Sequence, residues 1–288
     1  MKFGLIGHPI EHSLSPALFK AGYDGMYPYD LIITEDFEEA YRRFLEGYDG
    51  INVTAPFKEQ ALRKADIVSE ECDLVGATNL LVKTPDGVTA YNSDFRGLIS
   101  ILNSVKASDE GAKRTPPTPS SWAPPPAARG VARFSHPHPK PQNTDNRILI
   151  VGAGGAGKAA KAAAEALGYK TTVVNRTQYG PEIKPLSSFP EEFRKADIVI
   201  YNLPVRIPEV DMLTEEDLCT GQAKVILEAN YRNPSFDNGS IKRMVEMNPL
   251  IRYIDGLEWL LQQAVTGYEL FTGKAPDSEA MKAVIKSK

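Results

Sequence analysis

The alternation of apolar and polar positions in the first third of the chain predicts strands and helices in turn. We predict strands over residues 2–7, 29–34, 50–55, 77–82 and 88–92, and helices over residues 15–21, 37–45, 57–65 and 94–105. The sequence Thr84-Pro85-Asp86-Gly87 predicts a turn that joins the last two strands as a hairpin. Such alternation is typical of an α/β domain with a mostly parallel sheet.

A second alternating pattern begins at Arg147. It predicts strands over residues 148–151, 171–174, 197–201 and 225–229, and helices over residues 155–167, 189–195, 239–247, 257–271 and 278–285. A chain of 288 residues is long enough for two domains of ordinary size. We therefore expect two α/β domains with a cleft between them.

The segment between the two patterns, residues 107–146, differs in composition. It holds nine of the 22 prolines and almost no aliphatic periodicity. Such a segment buries too little apolar surface to offset its ordering entropy. We predict a flexible, proline-rich insert. Its two histidines, His136 and His138, have no further ligand cluster nearby, so no metal site is expected.

Composition excludes several classes of function. A formal net charge of -4 gives no basic excess for nucleic acid, and no apolar run reaches the ~20 residues of a membrane span. The apolar N-terminal stretch is interrupted by Gly7 and Pro9 and is too short for a signal peptide. Cys72 and Cys219 are far apart, which favours a reducing compartment. We expect a cytoplasmic protein with a small-molecule substrate, either a monomer or a homodimer.

A dinucleotide-binding fingerprint opens the second pattern. Residues 148–157 read Ile-Leu-Ile-Val-Gly-Ala-Gly-Gly-Ala-Gly, which is Gly-x-Gly-x-x-Gly between an apolar strand and an alanine-rich helix. Gly152 permits the tight turn, Gly154 lets the backbone approach a pyrophosphate, and Gly157 lets helix and strand pack closely. The backbone N–H groups at the helix start favour an anion. The predicted cofactor-binding residues of this loop are Gly152, Ala153, Gly154, Gly155 and Ala156; the alternative is a glycine-rich turn without a ligand.

The second strand of this domain ends in Asn175-Arg176-Thr177. NAD enzymes usually have Asp or Glu here to bind the ribose 2′-hydroxyl. A guanidinium instead suits a 2′-phosphate, by charge and by bidentate geometry. The sequence therefore favours NADP over NAD, with all three residues as cofactor ligands; the alternative for Arg176 is a solvated surface charge.

Several short polar motifs in a fixed order resemble the shikimate dehydrogenase family. They are Ser-Leu-Ser-Pro at residues 13–16, Asn-Val-Thr-Ala-Pro-Phe-Lys at 52–58, Gly-Ala-Thr-Asn at 76–79, Asn-Ser-Asp at 92–94 and the Asn-Arg-Thr above. The resemblance covers nearly the whole chain apart from the insert. It implies a substrate-binding domain over residues 1–106, a Rossmann NADP-binding domain over 147–255, and helices over 256–288 that return to the first domain. It also implies that NADPH reduces 3-dehydroshikimate to shikimate.

The resemblance implies roles for particular residues. Lys58 and Asp94 match the family's catalytic pair, and the chemistry agrees, because a lysine can give a proton or a positive charge to an oxyanion. Substrate ligands are implied at Ser13, Ser15, Thr54, Asn79, Tyr231 and Gln263, and Gly256 is implied beside the nicotinamide. Bland alternatives remain open: Ser15 as the N-cap of its helix, Asp94 as an N-cap, and Lys58 as a surface charge.

The sequence departs from the family pattern at three places. Phe95 stands where the family usually has glycine, Leu203-Pro204-Val205 replaces a run of small residues, and no second basic residue follows Arg176. Three other functions stay open at this point. They are a quinate/shikimate dehydrogenase that uses NAD, a binding protein without activity, and an enzyme for an altered ring such as an amino-substituted shikimate.

Overall fold

The computed structural model describes residues 1–109, 146–178, 180–219 and 221–287. The chain divides into two compact units. Among the described residues, unit 1 contains 1–107 and 261–287, and unit 2 contains 108–109 and 146–260. The predicted insert lies, except for residues 107–109 and 146, outside the described residues.

Unit 1 is built on a six-stranded mixed sheet. Its strands are β1 (Phe3–Gly7), β2 (Tyr29–Ile33), β3 (Gly50–Val53), β4 (Ile67–Val68), β5 (Leu80–Thr84) and β6 (Gly87–Tyr91), in the order β2-β1-β3-β5-β6-β4. β1 is parallel to both of its neighbours, and β5 is antiparallel to both of its own. The predicted hairpin is therefore correct, although β5 begins three residues and ends two residues later than predicted, and β6 begins and ends one residue earlier.

The helices that precede the insert are α1 (Ser15–Gly22), α2 (Phe37–Gly47), α3 (Lys58–Arg63), α4 (Glu70–Val75) and α5 (Ser93–Asp109). α2 shows how the sequence sets a boundary, since the Asp36 carboxylate accepts from the N–H groups of Glu38 and Glu39. The buried face of α2, which includes Phe37 and Phe44, packs into the core of unit 1.

Unit 2 contains an all-parallel sheet. Its strands are β7 (Arg147–Val151), β8 (Lys170–Asn175), β9 (Ile183–Pro185), β10 (Ile198–Tyr201), β11 (Lys224–Glu228) and β12 (Ile251–Ile254), in the order β12-β11-β10-β7-β8-β9. That order is the Rossmann order: from β7 the chain adds β8 and β9 on one side, and it then returns to add β10, β11 and β12 on the other side of β7. The predicted Rossmann fold is confirmed. In such sheets, ligands bind at the carboxyl ends of the strands beside this reversal.

The helices of unit 2 are α6 (Gly155–Ala166), α7 (Phe189–Lys195), α8 (Pro208–Asp211), α9 (Glu215–Leu218) and α10 (Asn238–Met247). Two helices end the chain, α11 (Gly256–Thr272) and α12 (Ser278–Lys286). In unit 1, Phe271 of α11 stacks on Phe3 of β1 at 4.8 Å, and Tyr268 meets Phe19 edge-on at 4.8 Å. These aromatic contacts pack the later part of α11 against β1 and α1 within unit 1.

The sequence patterns missed several of the short elements. β4, α4, β9, α8, α9 and β12 each span six residues or fewer, too few to show a periodicity. The capping alternative for Ser15 is wrong, because α1 begins at Ser15 itself and its N-cap residue is Leu14. Asp94 does not cap α5 either: the Asn92 side-chain oxygen accepts from the N–H of Phe95 at 3.0 Å.

Candidate functional site

A lysine and a carboxylate from two different helices meet in unit 1. The Nζ of Lys58 lies 2.5 Å from the Oδ2 of Asp94. The two side chains keep 21% and 16% of their surface exposed, so the pair is sheltered but reachable by a ligand. A fixed, partly desolvated ammonium is suited to stabilising negative charge that develops on a bound molecule.

Local backbone geometry brings the pair together. β3 leads into a turn in which the N–H of Phe57 bonds the carbonyl of Thr54 at 3.0 Å, and α3 begins at the next residue, Lys58. The carbonyl of Lys58 accepts from the N–H of Thr78 at 3.2 Å, which ties the start of α3 to the chain before β5. Asn92 caps α5 and so fixes the helix turn that carries Asp94.

The two serines of the Ser-Leu-Ser-Pro motif lie together at the start of α1. The hydroxyls of Ser13 and Ser15 are 3.1 Å apart, and the N–H of Ser15 donates to the Ser13 hydroxyl at 3.2 Å. Both residues are half-buried. The pair offers hydroxyl donors beside a helix N-terminus, an arrangement that favours a carboxylate.

Three polar side chains, from the loop before β5 and from two helices, form a connected cluster in unit 1. The Asn79 side chain bonds Ser93 at the start of α5, and the Ser93 hydroxyl lies 3.2 Å from the Oε1 of Gln263 in α11. The structure therefore brings together two of the predicted substrate ligands, Asn79 and Gln263. Thr54, half-buried at the end of β3, is held by a bond from its N–H to the carbonyl of Ile6 at 3.0 Å.

Two further residues of unit 1, which were not predicted, extend this cluster, because the Asn52 amide donates to the carbonyl of Asn79 at 3.5 Å. Asn52, 7% exposed within β3, accepts a hydrogen bond from the Tyr29 hydroxyl at 2.7 Å. Burial raises the pKa of Tyr29 well above its ordinary value, so the hydroxyl keeps the proton that it donates. The available signal was a polar residue between two apolar ones, Ile51 and Val53, in a buried strand.

The glycine loop of unit 2 has the geometry that the fingerprint requires. Gly152 has φ +103°, and Gly154 is the N-cap of α6. A methyl group added at Gly157 would stand 1.9 Å from the carbonyl oxygen of Gly152, whereas one added at Gly154 would meet nothing within 4 Å. The strand and helix thus touch at Gly157, and the backbone at Gly154 is open, as a pyrophosphate needs. Ala153, Gly155 and Ala156 complete the turn and the first residues of α6.

The three predicted cofactor ligands at the end of β8 differ in their exposure to solvent. Asn175 is 8% exposed, and its side chain links the N–H of Ala153, at 3.3 Å, to the carbonyl of Thr177, at 2.8 Å. Arg176 and Thr177 are exposed. Asn175 therefore joins β8 to the glycine loop, and Arg176 presents a positive charge at the carboxyl edge of the sheet. This donor set fits a dinucleotide that carries an additional phosphate.

The remaining predicted residues of unit 2 lie at the same edge. Gly256 is buried against the backbone of Ala229 and Tyr231, and Tyr231 is half-buried. The departure at Leu203 has a packing role, because its side chain contacts the glycine loop at Gly152 and the core of unit 2. In unit 1, Phe95 is fully buried.

No group of three or more His, Cys, Asp or Glu side chains in the described part of the chain is placed to hold a metal ion. No helix in the described ranges is both long and apolar enough to cross a membrane.

Residues 5–81 match the family profile described as shikimate dehydrogenase substrate binding domain, and residues 129–246 match that of the D-isomer specific 2-hydroxyacid dehydrogenase NAD binding domain. The chain is 27% identical to the shikimate dehydrogenase (NADP(+)) of Caldanaerobacter subterraneus over 96% of this chain and 93% of the relative.

Solved structures share the fold over full length. A shikimate 5-dehydrogenase from Thermus thermophilus, in complex with NADP(H) and shikimate, has a TM-score of 0.72 at 23% identity, covering 100% of this chain and 99% of that one. A quinate dehydrogenase from Corynebacterium glutamicum, in complex with NAD, has a TM-score of 0.71 at 21% identity, with the same coverage. At these identities the fold is shared, and the fold does not separate the two substrates.

The fold and the site together define a Rossmann-type, dinucleotide-dependent oxidoreductase with a separate substrate-binding unit. The Lys58–Asp94 pair lies in unit 1, which contains the match to the substrate-binding profile. The glycine loop lies in unit 2, within the match to the NAD-binding profile. In sequence the chain is similar to shikimate dehydrogenases over nearly its whole length.

Proposed function

We propose that this protein catalyses the reversible, NADPH-dependent reduction of 3-dehydroshikimate to shikimate. The observation that carries the proposal is the Lys58–Asp94 pair, at 2.5 Å, in the same unit as the paired serines and the Asn79–Gln263 cluster. These groups suit a small ring that carries one carboxylate, several hydroxyls and one ketone. The relatives with shikimate dehydrogenase names support this substrate.

The residues of unit 2 fit NADP as the cofactor. The N–H groups of Gly155 and Ala156 at the start of α6 would hold the pyrophosphate, and Ala153, whose N–H bonds Asn175, would line the loop beside it. Arg176 and Thr177 would hold the 2′-phosphate, Asn175 would keep the loop in register with β8, and Gly256 would lie at the nicotinamide end. When bound, NADPH supplies the hydride for the ketone carbon.

Lys58 is proposed to complete the reduction. The ketone oxygen gains negative charge as its carbon accepts the hydride, and that oxygen then takes up one proton. An ammonium at this position both stabilises the charge and can give the proton. The Asp94 carboxylate keeps Lys58 in place and can accept a hydrogen bond from a neighbouring ring hydroxyl.

The other polar groups of unit 1 are proposed to orient the ring. Ser13 and Ser15 would donate to the substrate carboxylate, and Thr54, Asn79 and Gln263 would bind its hydroxyls. Tyr231 is proposed as a further substrate ligand. Holding a reactant in one orientation lowers the entropic part of the barrier, so these contacts serve the rate as well as affinity.

The test is a measurement of NADPH consumption with 3-dehydroshikimate, made in parallel on the parent protein and Lys58→Ala. We expect rapid consumption by the parent and a loss of about a hundredfold or more in the variant. Quinate with NAD and an amino-substituted ring complete the substrate panel. A parent that binds NADPH but does not turn over 3-dehydroshikimate would refute the assignment.

The setting of the enzyme is also proposed. We place it in the cytoplasm as a monomer or homodimer, without a nucleic-acid or membrane partner. Both Cys72 and Cys219 are free thiols, which supports a reducing compartment. Light scattering of the purified protein measures the oligomeric state, and localisation of a tagged chain tests the compartment.

A further inference from the structure

The hydrogen bonds around Ser93 run in one direction. The backbone N–H of Ser93 can only donate, and it donates to the Oδ1 of Asn79 at 2.7 Å. This fixes which end of the Asn79 amide is the oxygen. The other end, Nδ2, then donates to the Ser93 hydroxyl at 3.0 Å.

The orientation of the Ser93 hydroxyl in turn determines the orientation of the Gln263 amide. Because its oxygen accepts from Asn79, its single proton is available to Gln263, whose Oε1 lies 3.2 Å away. The alternative acceptor, the Oδ1 of Asn79, is farther away at 3.3 Å and already takes the backbone N–H. Gln263 is thereby held with its oxygen toward Ser93 and its NH₂ end turned away.

Helix packing holds the three groups at these distances. Ser93 is fully buried. A methyl group added at Gly267, one turn beyond Gln263 in α11, would stand 3.2 Å from the Ser93 hydroxyl. One added at Gly97, one turn beyond Ser93 in α5, would stand 2.8 Å from the backbone nitrogen of Gln263. Glycine at both places brings the two helices close enough for a serine hydroxyl to span the gap.

We infer that Ser93 is a positioning residue, which orients the Gln263 amide so that it presents N–H donors to the substrate. The inference rests on the proposed function, in which Asn79 and Gln263 bind ring hydroxyls. It adds a specific requirement: the ring atom that meets Gln263 must be a hydrogen-bond acceptor. A hydroxyl oxygen meets the requirement, and an ammonium at that ring position does not.

Ser93→Ala tests the inference selectively. The backbone N–H remains, so Asn79 stays oriented, but Gln263 loses its hydrogen bond from the Ser93 hydroxyl. We expect the KM for 3-dehydroshikimate to rise about five- to tenfold, the loss typical of one neutral hydrogen bond, with the KM for NADPH unchanged. Ser93→Thr, which restores a hydroxyl, should recover most of the loss.

Two comparisons separate positioning from general damage. Ser100→Ala removes a hydroxyl from the same helix that bonds only the carbonyl of Arg96 among described residues, and it should leave both KM values unchanged. If Ser93 acts through Gln263, then Ser93→Ala should add almost nothing to Gln263→Ala in the double variant. Additive losses, or a parent-like KM in Ser93→Ala, would overturn the inference. A parent without turnover would instead overturn the proposed function.

Discussion

The Nζ of Lys58 and the Oδ2 of Asp94 lie 2.5 Å apart, although 36 residues separate them in the sequence. Lys58 is the first residue of α3, and Asp94 is the second residue of α5. Hydrogen bonds hold the start of each helix in place. The position of the Lys58 ammonium is therefore determined by the backbone at the two helix starts and not by the side chains alone.

This geometry predicts that the two residues act as one unit in catalysis. Asp94→Asn keeps the shape but removes the charge that holds Lys58, and we expect kcat to fall about a hundredfold. Adding Lys58→Ala to Asp94→Asn should then cost far less than Lys58→Ala costs alone. Steady-state kinetics of the four proteins measure this coupling, with NADPH affinity as the control for folding. Independent, multiplicative losses would contradict it.

The contact between Gly152 and Gly157 predicts different outcomes for two glycines of one motif. Gly157→Ala places a methyl group 1.9 Å from the Gly152 carbonyl oxygen, so helix and strand must separate. We expect Tm of the protein without cofactor to fall by roughly 5 °C, together with weaker NADPH binding.

Gly154→Ala is the matched variant. Its methyl group meets no protein atom within 4 Å and its φ is -73°, so Tm without cofactor should stay unchanged. The methyl group would nevertheless stand where the backbone is expected to approach the pyrophosphate, and NADPH affinity should fall about tenfold or more. Calorimetry and a fluorescence titration measure the two effects. Equal Tm values for both variants would show that Gly157 is not a packing contact.

The sequence predicted the long elements and the glycine loop because their signals are local. The apolar run 148–151 and the glycines after it need no knowledge of the rest of the chain to be recognised. Asn175 was harder to interpret, because its contacts are with Ala153 and Thr177 and depend on how β8 pairs with β7. Its side chain links the glycine loop to the segment after β8 within unit 2.

Long-range polar contacts were not accessible from sequence patterns. Ser93 was visible only as part of Asn-Ser-Asp, and its neighbour Gln263 is 170 residues away. The hydrogen bond from Tyr29 to Asn52 likewise joins β2 to β3 across β1. Such contacts depend on sheet order, and the pattern of one strand does not contain the order of the others.

Arg176 predicts a cofactor preference that a single substitution should remove. Its exposed guanidinium lies at the end of β8, where it can bind a 2′-phosphate. We expect Arg176→Ala to raise the KM for NADPH about 10- to 100-fold, the loss typical of hydrogen bonds to a charged group. NADH lacks the phosphate and serves as the control, so its KM should not change. An equal rise for both cofactors would assign Arg176 a structural role.

Lys224 lies outside the candidate site, and its burial leads us to expect that the free energy of unfolding depends on pH. It is 2% exposed in β11, and its Nζ donates to the carbonyls of Phe193, at 2.7 Å, and Ala196, which lie at the end of α7. Burial lowers the pKa of Lys224 from 10.5 to about 8, and the charge of Asp197 only partly opposes this. The folded protein therefore binds this proton less tightly than the unfolded chain does.

The sign of the effect follows from proton linkage. Below pH 8 the lysine is charged in both states, and its buried charge is a constant cost. Between pH 8 and 10.5 only the unfolded chain keeps the proton, so the free energy of unfolding rises with pH by up to about 3 kcal/mol.

Lys224→Met lacks the titrating group, and its unfolding free energy, measured in urea, should lose this rise relative to the parent. Lys242→Met, at a site whose side chain is 77% exposed, is the matched control and should keep the parent's pH dependence. If the difference between parent and Lys224→Met stays constant from pH 7.5 to 10, the lysine does not titrate in the folded protein over that range.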